Sequence, residues 1–170
     1  MKYLVFLDID GVFTSLRAQL ASLNCGEMWS TFDPVAINFM NWIHNRYPVE
    51  FVLISTWKQG LGNPESPAIV GHWVLSAFRN AGFDGTFHYR MWTDDYRSVG
   101  KTRAHEIQEF LKVYGEGVDD YIIFDDNDYE FKQILGKNRL VRTDANDGML
   151  SKHMLNARSM MGTWVTKKEL

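Results

Sequence analysis

The feature that most constrains this fold is a short apolar run, Tyr3–Leu7, that leads directly into Asp8, Asp10 and Gly11. An uninterrupted run of aromatic and branched side chains is typical of a strand that is buried on both faces of a sheet. Side chains two positions apart on an extended chain point to the same side. The run therefore predicts a central strand that ends in two converging carboxylates, at the sheet edge where open α/β folds bind their ligands.

Carboxylates as close as those expected for Asp8 and Asp10 repel each other unless a cation or a shared proton intervenes. Mg²⁺ meets this requirement, because it is a hard ion that prefers oxygen ligands and phosphate-bearing substrates. The same Asp-x-Asp-Gly pattern also occurs in ordinary turns, where Asp and Gly are favoured by backbone geometry. The short motif alone therefore does not decide between a metal site and a turn.

Strands and helices alternate along the rest of the chain. Further strands are predicted at 51–54, 86–91, 121–124 and 139–142, and helices at 34–46, 66–80, 98–114, 128–135 and 151–161. This alternation is typical of parallel βαβ units with right-handed crossovers, and so predicts an α/β fold. Residues 12–32 lack a clear periodicity and are expected to form a loop or small flap with at most one helical turn.

The composition limits the classes of function. The 170 residues, of which 45% are hydrophobic, suffice for one domain with a full core. We expect residues 1–163 to form that domain and the polar segment 164–170 to be a loose C-terminal tail. The net charge of -3 excludes a global basic field for nucleic acid, so any such contact has to be local.

The single cysteine and the lack of long apolar runs bear on the location of the protein. Cys25 excludes an internal disulfide, fits a reducing compartment and gives little support for a nucleophilic thiol. No apolar run approaches the length of a membrane span, and Asp8 interrupts the N-terminal candidate for a signal segment. The expected location is cytoplasmic, without membrane contact, and no obligate protein partner is evident from the sequence.

A second acidic pair, Asp125 and Asp126, follows the predicted fourth strand. Strand ends of a doubly wound sheet lie on one edge, so both acidic pairs can share one cation. The alternative is a simple turn in which Asp128 caps the next helix. A calcium loop is excluded, because Phe131 stands where its sharp turn needs glycine.

Polar residues that suit a phosphoryl group follow the second strand and precede a later helix. Ser55 and Thr56 offer hydroxyls and backbone N–H groups to phosphoryl oxygens. Lys101 lies near the start of the helix predicted at 98–114, where a lysine can offset the charge of a carboxylate and a phosphate together. Each of these residues alone is common, and only the combination with two acidic pairs favours phosphate chemistry.

Taken in chain order, these residues resemble the four motifs of the haloacid dehalogenase (HAD) superfamily: Asp8-Ile9-Asp10-Gly11-Val12, Ser55, Lys101 and Asp125-Asp126. The resemblance covers nearly the whole chain. Three further stretches are similar to the dehalogenase-type domain of RNA-repair "Swiss army knife" proteins and of phage proteins: Ile54-Ser55-Thr56-Trp57, residues 103–111, and Leu140-Val141-Arg142-Thr143-Asp144 with Gly148. The resemblance implies an HAD-like hydrolase domain over residues 1–163. Such a domain is a three-layer, Rossmann-like sandwich with a five-stranded, mainly parallel sheet of order 3-2-1-4-5 and, here, a minimal cap.

The resemblance also implies a role for each acidic residue and for the serine. Asp8 would be the nucleophile that becomes an aspartyl-phosphate. Asp10 would protonate the leaving oxygen and then activate water, and its backbone carbonyl would bind Mg²⁺. Asp125 and Asp126 would complete the metal site with Asp8 and Asp10. Ser55 would hold the transferring phosphoryl group.

The resemblance assigns the cationic position of the third motif to Lys101, which would steady Asp8 and the phosphate. Lys58 and Lys112 are alternative candidates for this position, because the spacing to this motif varies widely. The choice among the three lysines stays open at the level of sequence.

We therefore expect a Mg²⁺-dependent phosphatase that hydrolyses a phosphomonoester through an aspartyl-phosphate intermediate. Gly11, Thr56 and Trp57 are expected to contact the substrate. Trp57 and Trp92 lie in loops on the expected active edge, where a base stacked on an aromatic ring gains binding energy. A nucleotide or a nucleic-acid end is therefore the favoured substrate.

A non-catalytic or receiver-like phospho-binding module is the competing interpretation. Such modules also combine an acidic pair, a phosphorylatable Asp, a hydroxyl and a lysine on a similar sheet. Chain order separates the two classes. A receiver carries its acidic pair after the first strand and its acceptor Asp after the third, whereas the second acidic pair of this chain follows the fourth strand.

Overall fold

The computed structural model describes residues 1–24, 32–61, 72–94 and 100–170. Of the features predicted above, Cys25 and the first residues of the helices expected at 66–80 and 98–114 lie outside these ranges. Within the described ranges, no helix is long and apolar enough to cross a membrane.

Five parallel strands form one sheet with the order β3-β2-β1-β4-β5. The strands are β1 Tyr3–Leu7, β2 Val49–Leu53, β3 Phe87–Trp92, β4 Asp120–Asp125 and β5 Leu140–Arg142. The described helices are α1 Leu16–Asn24, α2 Pro34–Arg46, α3 His72–Asn80, α4 Arg103–Tyr114, α5 Phe131–Leu135 and α6 Ser151–Met160, and a 3₁₀ turn spans Thr56–Leu61. The predicted α/β architecture and strand order are confirmed.

Strand β1 is the centre of the fold, with β2 and β4 as its neighbours. All of its residues are buried, and they alternate between two hydrophobic cores. Tyr3, Val5 and Leu7 pack in one core with residues of α2, α3 and α6, whereas Leu4 and Phe6 pack in the other with residues of α4 and α5. Helices therefore cover both faces of the sheet, and the carboxyl end of β1 lies in the middle of its edge.

The segment after β1 is more regular than expected. Helix α1 contains nine residues, which make more than two helical turns rather than at most one. Its first turn is fixed by Arg17, which donates to Asp33 Oδ2 at 2.5 Å and to the backbone oxygen of Asp147 at 2.9 Å. These partners lie 16 and 130 residues away along the chain, so no local pattern reveals them.

The segment 164–170, which was expected to be a loose tail, is anchored at the start of β1 by its first two residues. Trp164 is 6% exposed, and its ring stacks on that of Tyr3 at a centroid distance of 4.4 Å. Its indole N–H donates to Asp120 Oδ2 at 3.1 Å, and the Val165 N–H donates to the Tyr3 hydroxyl at 2.9 Å. The expectation of a loose tail was wrong because one large aromatic residue anchors an otherwise polar segment.

The helix predicted at 128–135 begins three residues later than expected. Helix α5 starts at Phe131, and the preceding Glu130 has a φ of 58°. This left-handed backbone conformation interrupts a right-handed helix. Asp128 is therefore an exposed loop residue and not the N-cap of α5.

Candidate active site

The carboxylates of Asp8 and Asp125 meet at the carboxyl ends of two neighbouring strands, β1 and β4. The N–H of Asp8 continues the sheet beyond β1 by donating to the Phe124 oxygen at 2.9 Å. Asp125 is the last residue of β4 and is completely buried. Nη1 of Arg103, at the start of α4, donates to Asp8 Oδ2 at 2.7 Å and to Asp125 Oδ2 at 2.5 Å. One guanidinium nitrogen thus joins the ends of both strands.

The carboxylate of Asp126 completes a candidate metal site. One carboxylate oxygen from each of Asp8, Asp125 and Asp126 lies within 4.8 Å of the others. Three ionised carboxylates against the single positive charge of Arg103 leave two negative charges unbalanced. A divalent cation that prefers oxygen ligands fits this set of donors in both charge and chemistry.

Burial and mutual repulsion shift the ionisation of this cluster. Burial raises the pKa of Asp125 to about 7, against the opposing charge of Arg103 and with a further contribution from Asp8. Burial also raises the pKa of Asp126, and the charge of Asp8 adds to that shift. Burial disfavours the charged form of Arg103, but Asp125 and Asp8 outweigh it and raise the pKa of Arg103, which stays cationic. Without a cation, the cluster therefore favours an extra proton that a divalent ion would displace.

Gly11 makes room for Asp126 in this cluster. Its φ is +71°, and a Cβ at this position would lie 2.6 Å from the Cβ of Asp126. Glycine adopts such a backbone without strain and has no side chain to collide with the carboxylate. The sequence predicted that Gly11 contacts the substrate, and the structure places it directly against Asp126.

Asp10 lies apart from the three-carboxylate cluster. Its side chain is exposed and accepts two hydrogen bonds, from Trp57 Nε1 to Oδ2 at 2.9 Å and from Thr14 Oγ1 to Oδ1 at 3.0 Å. Among the described residues, the carboxylate cluster does not include the Asp10 side chain, although the sequence grouped it with the metal ligands. A metal contact through the backbone carbonyl of Asp10 stays a prediction.

The hydroxyl residues after β2 lie at the next strand end. Ser55 is buried, and its Oγ accepts the backbone N–H of Trp57 at 3.3 Å. Thr56 is exposed and opens the 3₁₀ turn. Trp57 is half-buried, whereas Trp92 is 6% exposed within the hydrophobic core. The expectation that Trp92 offers a stacking surface is therefore wrong.

Two of the three candidate lysines are engaged away from Asp8. Lys58 is buried, donates to Thr93 Oγ1 at 2.8 Å and forms an ion pair with Glu106. This network ties the 3₁₀ turn to α4 and to the end of β3. Lys112 is highly exposed on α4 and lies 3.8 Å from Glu109.

Arg103, which the sequence-based prediction missed, makes the contact with Asp8 that was expected of Lys101. Lys101 is half-buried, lies two residues before α4, and lines a cavity of about 200 Å³ together with Arg103 and Tyr129. The Arg103 guanidinium also lies 4.7 Å from the centre of the Tyr129 ring, within the range of a cation–π contact. A basic residue in the first turn of α4 was the available signal. The prediction had considered lysines only, although arginine offers more hydrogen-bond donors for carboxylates.

Comparison with known proteins bears on the identity of this site. No curated protein and no solved structure shows a significant match to the chain. A family model described as the HAD domain in Swiss Army Knife RNA repair proteins matches residues 4–154. The matched span extends from β1 into α6 and contains every residue of the carboxylate cluster and Arg103. The chain therefore belongs to the family of HAD domains found in Swiss Army Knife RNA repair proteins.

Proposed function

We propose that this protein is a Mg²⁺-dependent phosphatase that hydrolyses a phosphomonoester at a nucleic-acid end or on a nucleotide. The observation that carries the proposal is the division of four acidic side chains between two environments. Asp8, Asp125 and Asp126 lie together beside Arg103, whereas Asp10 stands apart between two uncharged donors. The grouped carboxylates can hold a cation next to the attacking oxygen of Asp8, whereas Asp10 at the exposed edge is free of that cluster and can exchange a proton with the leaving oxygen and with water. Membership of an HAD family indicates a phosphatase-type hydrolase.

In the first proposed step, a carboxylate oxygen of Asp8 attacks the phosphorus atom of the substrate. The bond from phosphorus to the leaving oxygen breaks, and Asp10 gives its proton to that oxygen, so the alcohol leaves uncharged. The phosphoryl group is then bound covalently to Asp8. Arg103 reduces the repulsion between Asp8 and the phosphoryl oxygens. Because Ser55 Oγ accepts a backbone N–H, its own hydroxyl hydrogen is available to a phosphoryl oxygen.

In the second proposed step, Asp10 is ionised and takes a proton from water. The water oxygen attacks phosphorus, the bond to Asp8 breaks, and inorganic phosphate leaves. Both carboxyl groups thereby return to their starting states. A bound Mg²⁺ held by Asp8, Asp125 and Asp126 would neutralise the charge of the phosphoryl oxygens in both steps.

The choice of a nucleic-acid end rests on two observations. The family is described as a domain of RNA repair proteins. Asp10 and Thr56, at the edge of the candidate site, are both exposed, so solvent reaches the groups that would meet the leaving alcohol. Both observations support a substrate whose phosphate is terminal and whose remainder extends outwards.

The test is phosphate release by the purified protein in the presence of Mg²⁺. The substrates are an aryl phosphate, nucleoside monophosphates, and oligonucleotides with a 5′- or 3′-terminal phosphate. We expect continuous release from at least one terminal phosphate, loss of release with a chelator, and recovery with added Mg²⁺. Binding or a single phosphorylation without continuous release would instead indicate a receiver-like module and overturn the proposal.

A further inference from the structure

The side chain of Trp57 makes a hydrogen bond to Asp10 that takes no part in the two proposed steps. Its indole N–H donates to Oδ2 of Asp10 at 2.9 Å. An indole nitrogen is a donor only and cannot accept a hydrogen bond. This contact is therefore strongest when Oδ2 is the unprotonated oxygen of the carboxyl group.

The other carboxylate oxygen of Asp10, Oδ1, lies next to the hydroxyl of Thr14, which can switch between donating and accepting a hydrogen bond. Thr14 Oγ1 lies 3.0 Å from Asp10 Oδ1 and 3.4 Å from the backbone oxygen of Ile9. A hydroxyl both donates and accepts. When Oδ1 is ionised, the Thr14 hydroxyl can donate to it. When Oδ1 carries a proton, the hydroxyl can donate to Ile9 and accept from Oδ1.

Trp57 is itself held firmly in place. Its backbone N–H donates to Ser55 Oγ at 3.3 Å, and its ring packs against Phe32 at a centroid distance of 6.1 Å. The next residue, Lys58, is anchored by its buried ion pair with Glu106. The 3₁₀ turn that carries Trp57 is therefore fixed from both sides, and the indole N–H has a fixed direction.

From these contacts we propose that Trp57 is a positioning residue for the general acid and base Asp10. The indole fixes the carboxyl group so that Oδ2 always accepts and Oδ1 carries the proton that moves to the leaving oxygen. The Thr14 hydroxyl can keep a hydrogen bond to Oδ1 in both ionisation states of Asp10. This inference rests on the proposed phosphatase function, because it assigns a residue to the proton transfer of that reaction.

The proposal differs from the stacking role that the sequence suggested for Trp57. A residue that stacks on a base acts on substrates that contain a ring. A residue that orients the acid acts on substrates whose leaving oxygen needs a proton. An alkoxide is a poor leaving group and needs protonation, whereas p-nitrophenolate leaves readily without it.

Three substrates therefore separate the two roles: a nucleoside monophosphate, glycerol phosphate and p-nitrophenyl phosphate. The variant is Trp57→Phe, which keeps an aromatic ring and removes the N–H. The measured quantity is kcat/KM, because it reports the step that breaks the bond to the leaving group. Proton transfer contributes about 10²–10⁴-fold to such reactions. Loss of its orientation should lower kcat/KM about ten-fold or more for both alkyl phosphates, and less than about three-fold for p-nitrophenyl phosphate.

Each other pattern overturns the positioning role. Equal losses on all three substrates in Trp57→Phe would indicate a structural role. No loss in Trp57→Phe would show that the N–H has no role. If Trp57→Ala, which also removes the ring, then lost activity on the nucleotide and on p-nitrophenyl phosphate with glycerol phosphate spared, Trp57 would be assigned to stacking. Asp10→Asn should reproduce the preference for the aryl substrate, and Trp42→Phe is the matched control because Trp42 is half-buried on α2 and stacks on Phe39.

The hydrogen bond itself can be tested without metal or substrate. We expect the indole N–H resonance of Trp57, assigned in NMR spectra by its loss in Trp57→Phe, to move upfield and to exchange faster in Asp10→Ala. An unchanged resonance would overturn the positioning role even in an active enzyme. Failure of the proposed function has a separate signature, since wild-type protein would then release no phosphate from any of the three substrates.

Discussion

The carboxylate of Asp125 is completely buried and lies 2.5 Å from the guanidinium of Arg103. The same guanidinium nitrogen reaches Asp8 at 2.7 Å. Removal of one partner from a buried ion pair leaves an uncompensated charge, which is usually more costly than the net contribution of the pair. Arg103 therefore contributes both to the stability of the fold and to the charge balance of the candidate active site. Variants of these three residues measure the two contributions separately.

Asp8→Asn should fold normally and lose turnover, because the amide keeps the volume of the side chain and removes the negative charge of the proposed nucleophile. The measurements are phosphate release and acid-stable labelling of the protein by a ³²P-phosphorylated substrate, which should both be absent. Asp128→Asn is the control, since Asp128 is an exposed carboxylate three residues after Asp125. Turnover in Asp8→Asn equal to that of the control would contradict the covalent mechanism.

Arg103→Ala should lower the free energy of unfolding by about 3–5 kcal/mol, because two buried carboxylates lose their counter-charge. Urea denaturation measures this loss. The effect should shrink at saturating Mg²⁺, since a cation would replace part of the missing charge. Lys112→Ala, on the exposed face of the same helix, is the control. Equal stability of the two variants would show that the Arg103 pairs contribute nothing to folding.

The raised pKa of Asp125 predicts a pH dependence of stability. The folded-state pKa of about 7 exceeds the value of about 3.9 expected for an unfolded Asp. The folded protein therefore holds this proton at pH values where the unfolded chain has lost it, and stability from this group falls as pH rises from about 4 to about 7.

The measurement is the difference in unfolding free energy between wild type and Asp125→Asn, without Mg²⁺, across this range. The amide does not titrate, so it serves as the reference. The wild type should lose stability relative to the variant as pH rises. A difference that stays constant, or that grows in favour of wild type, would be incompatible with a raised pKa.

Gly11→Ala should weaken metal binding, because the added Cβ would lie 2.6 Å from Asp126 Cβ and displace that ligand. Gly136→Ala is a matched control, since Gly136 has a φ of +70° and nothing within 4 Å of an added Cβ. Both variants carry the strain of a left-handed backbone, which costs about 1–2 kcal/mol for a residue with a Cβ. Calorimetric titration with Mg²⁺ should show weaker binding in Gly11→Ala alone. Equal affinity in both would remove Asp126 from the metal site.

Trp164→Ala should lower the free energy of unfolding by about 3–5 kcal/mol, the usual cost of truncating a buried Trp. Its stacking on Tyr3 and its bond to Asp120 are both lost. Thermal and urea denaturation measure the change, with the exposed Lys168→Ala as control. A loose tail would instead make the two variants equally stable.

The sheet and the carboxylate pairs could be predicted because their signals are local. In β1 and β4, a continuous buried run is followed at once by acidic residues, and each pattern fits within ten residues. Parallel strand order then brings Asp8 and Asp125 to one edge. No knowledge of distant contacts was needed for this part of the site.

The remaining contacts could not be predicted because they join residues that are far apart in the chain. Arg103 and Asp8 are separated by 95 positions, and Trp57 and Asp10 by 47. A sequence pattern indicates which face of a helix is buried, but not which carboxylate its first charged residue meets. Trp164 was missed for a related reason, since a single aromatic residue in a polar segment has no periodicity.

The stacking of Trp164 on Tyr3 brings the two ends of the domain side by side. A polypeptide that enters and leaves a domain at one place can be spliced into a longer chain without distorting the sheet. Tyr3 begins β1 and Asp8 follows its last residue, so this junction lies at the opposite edge from the carboxylates. Neighbouring modules joined there would leave the carboxylate edge open, and a circularly permuted domain with a short linker between these ends should still fold.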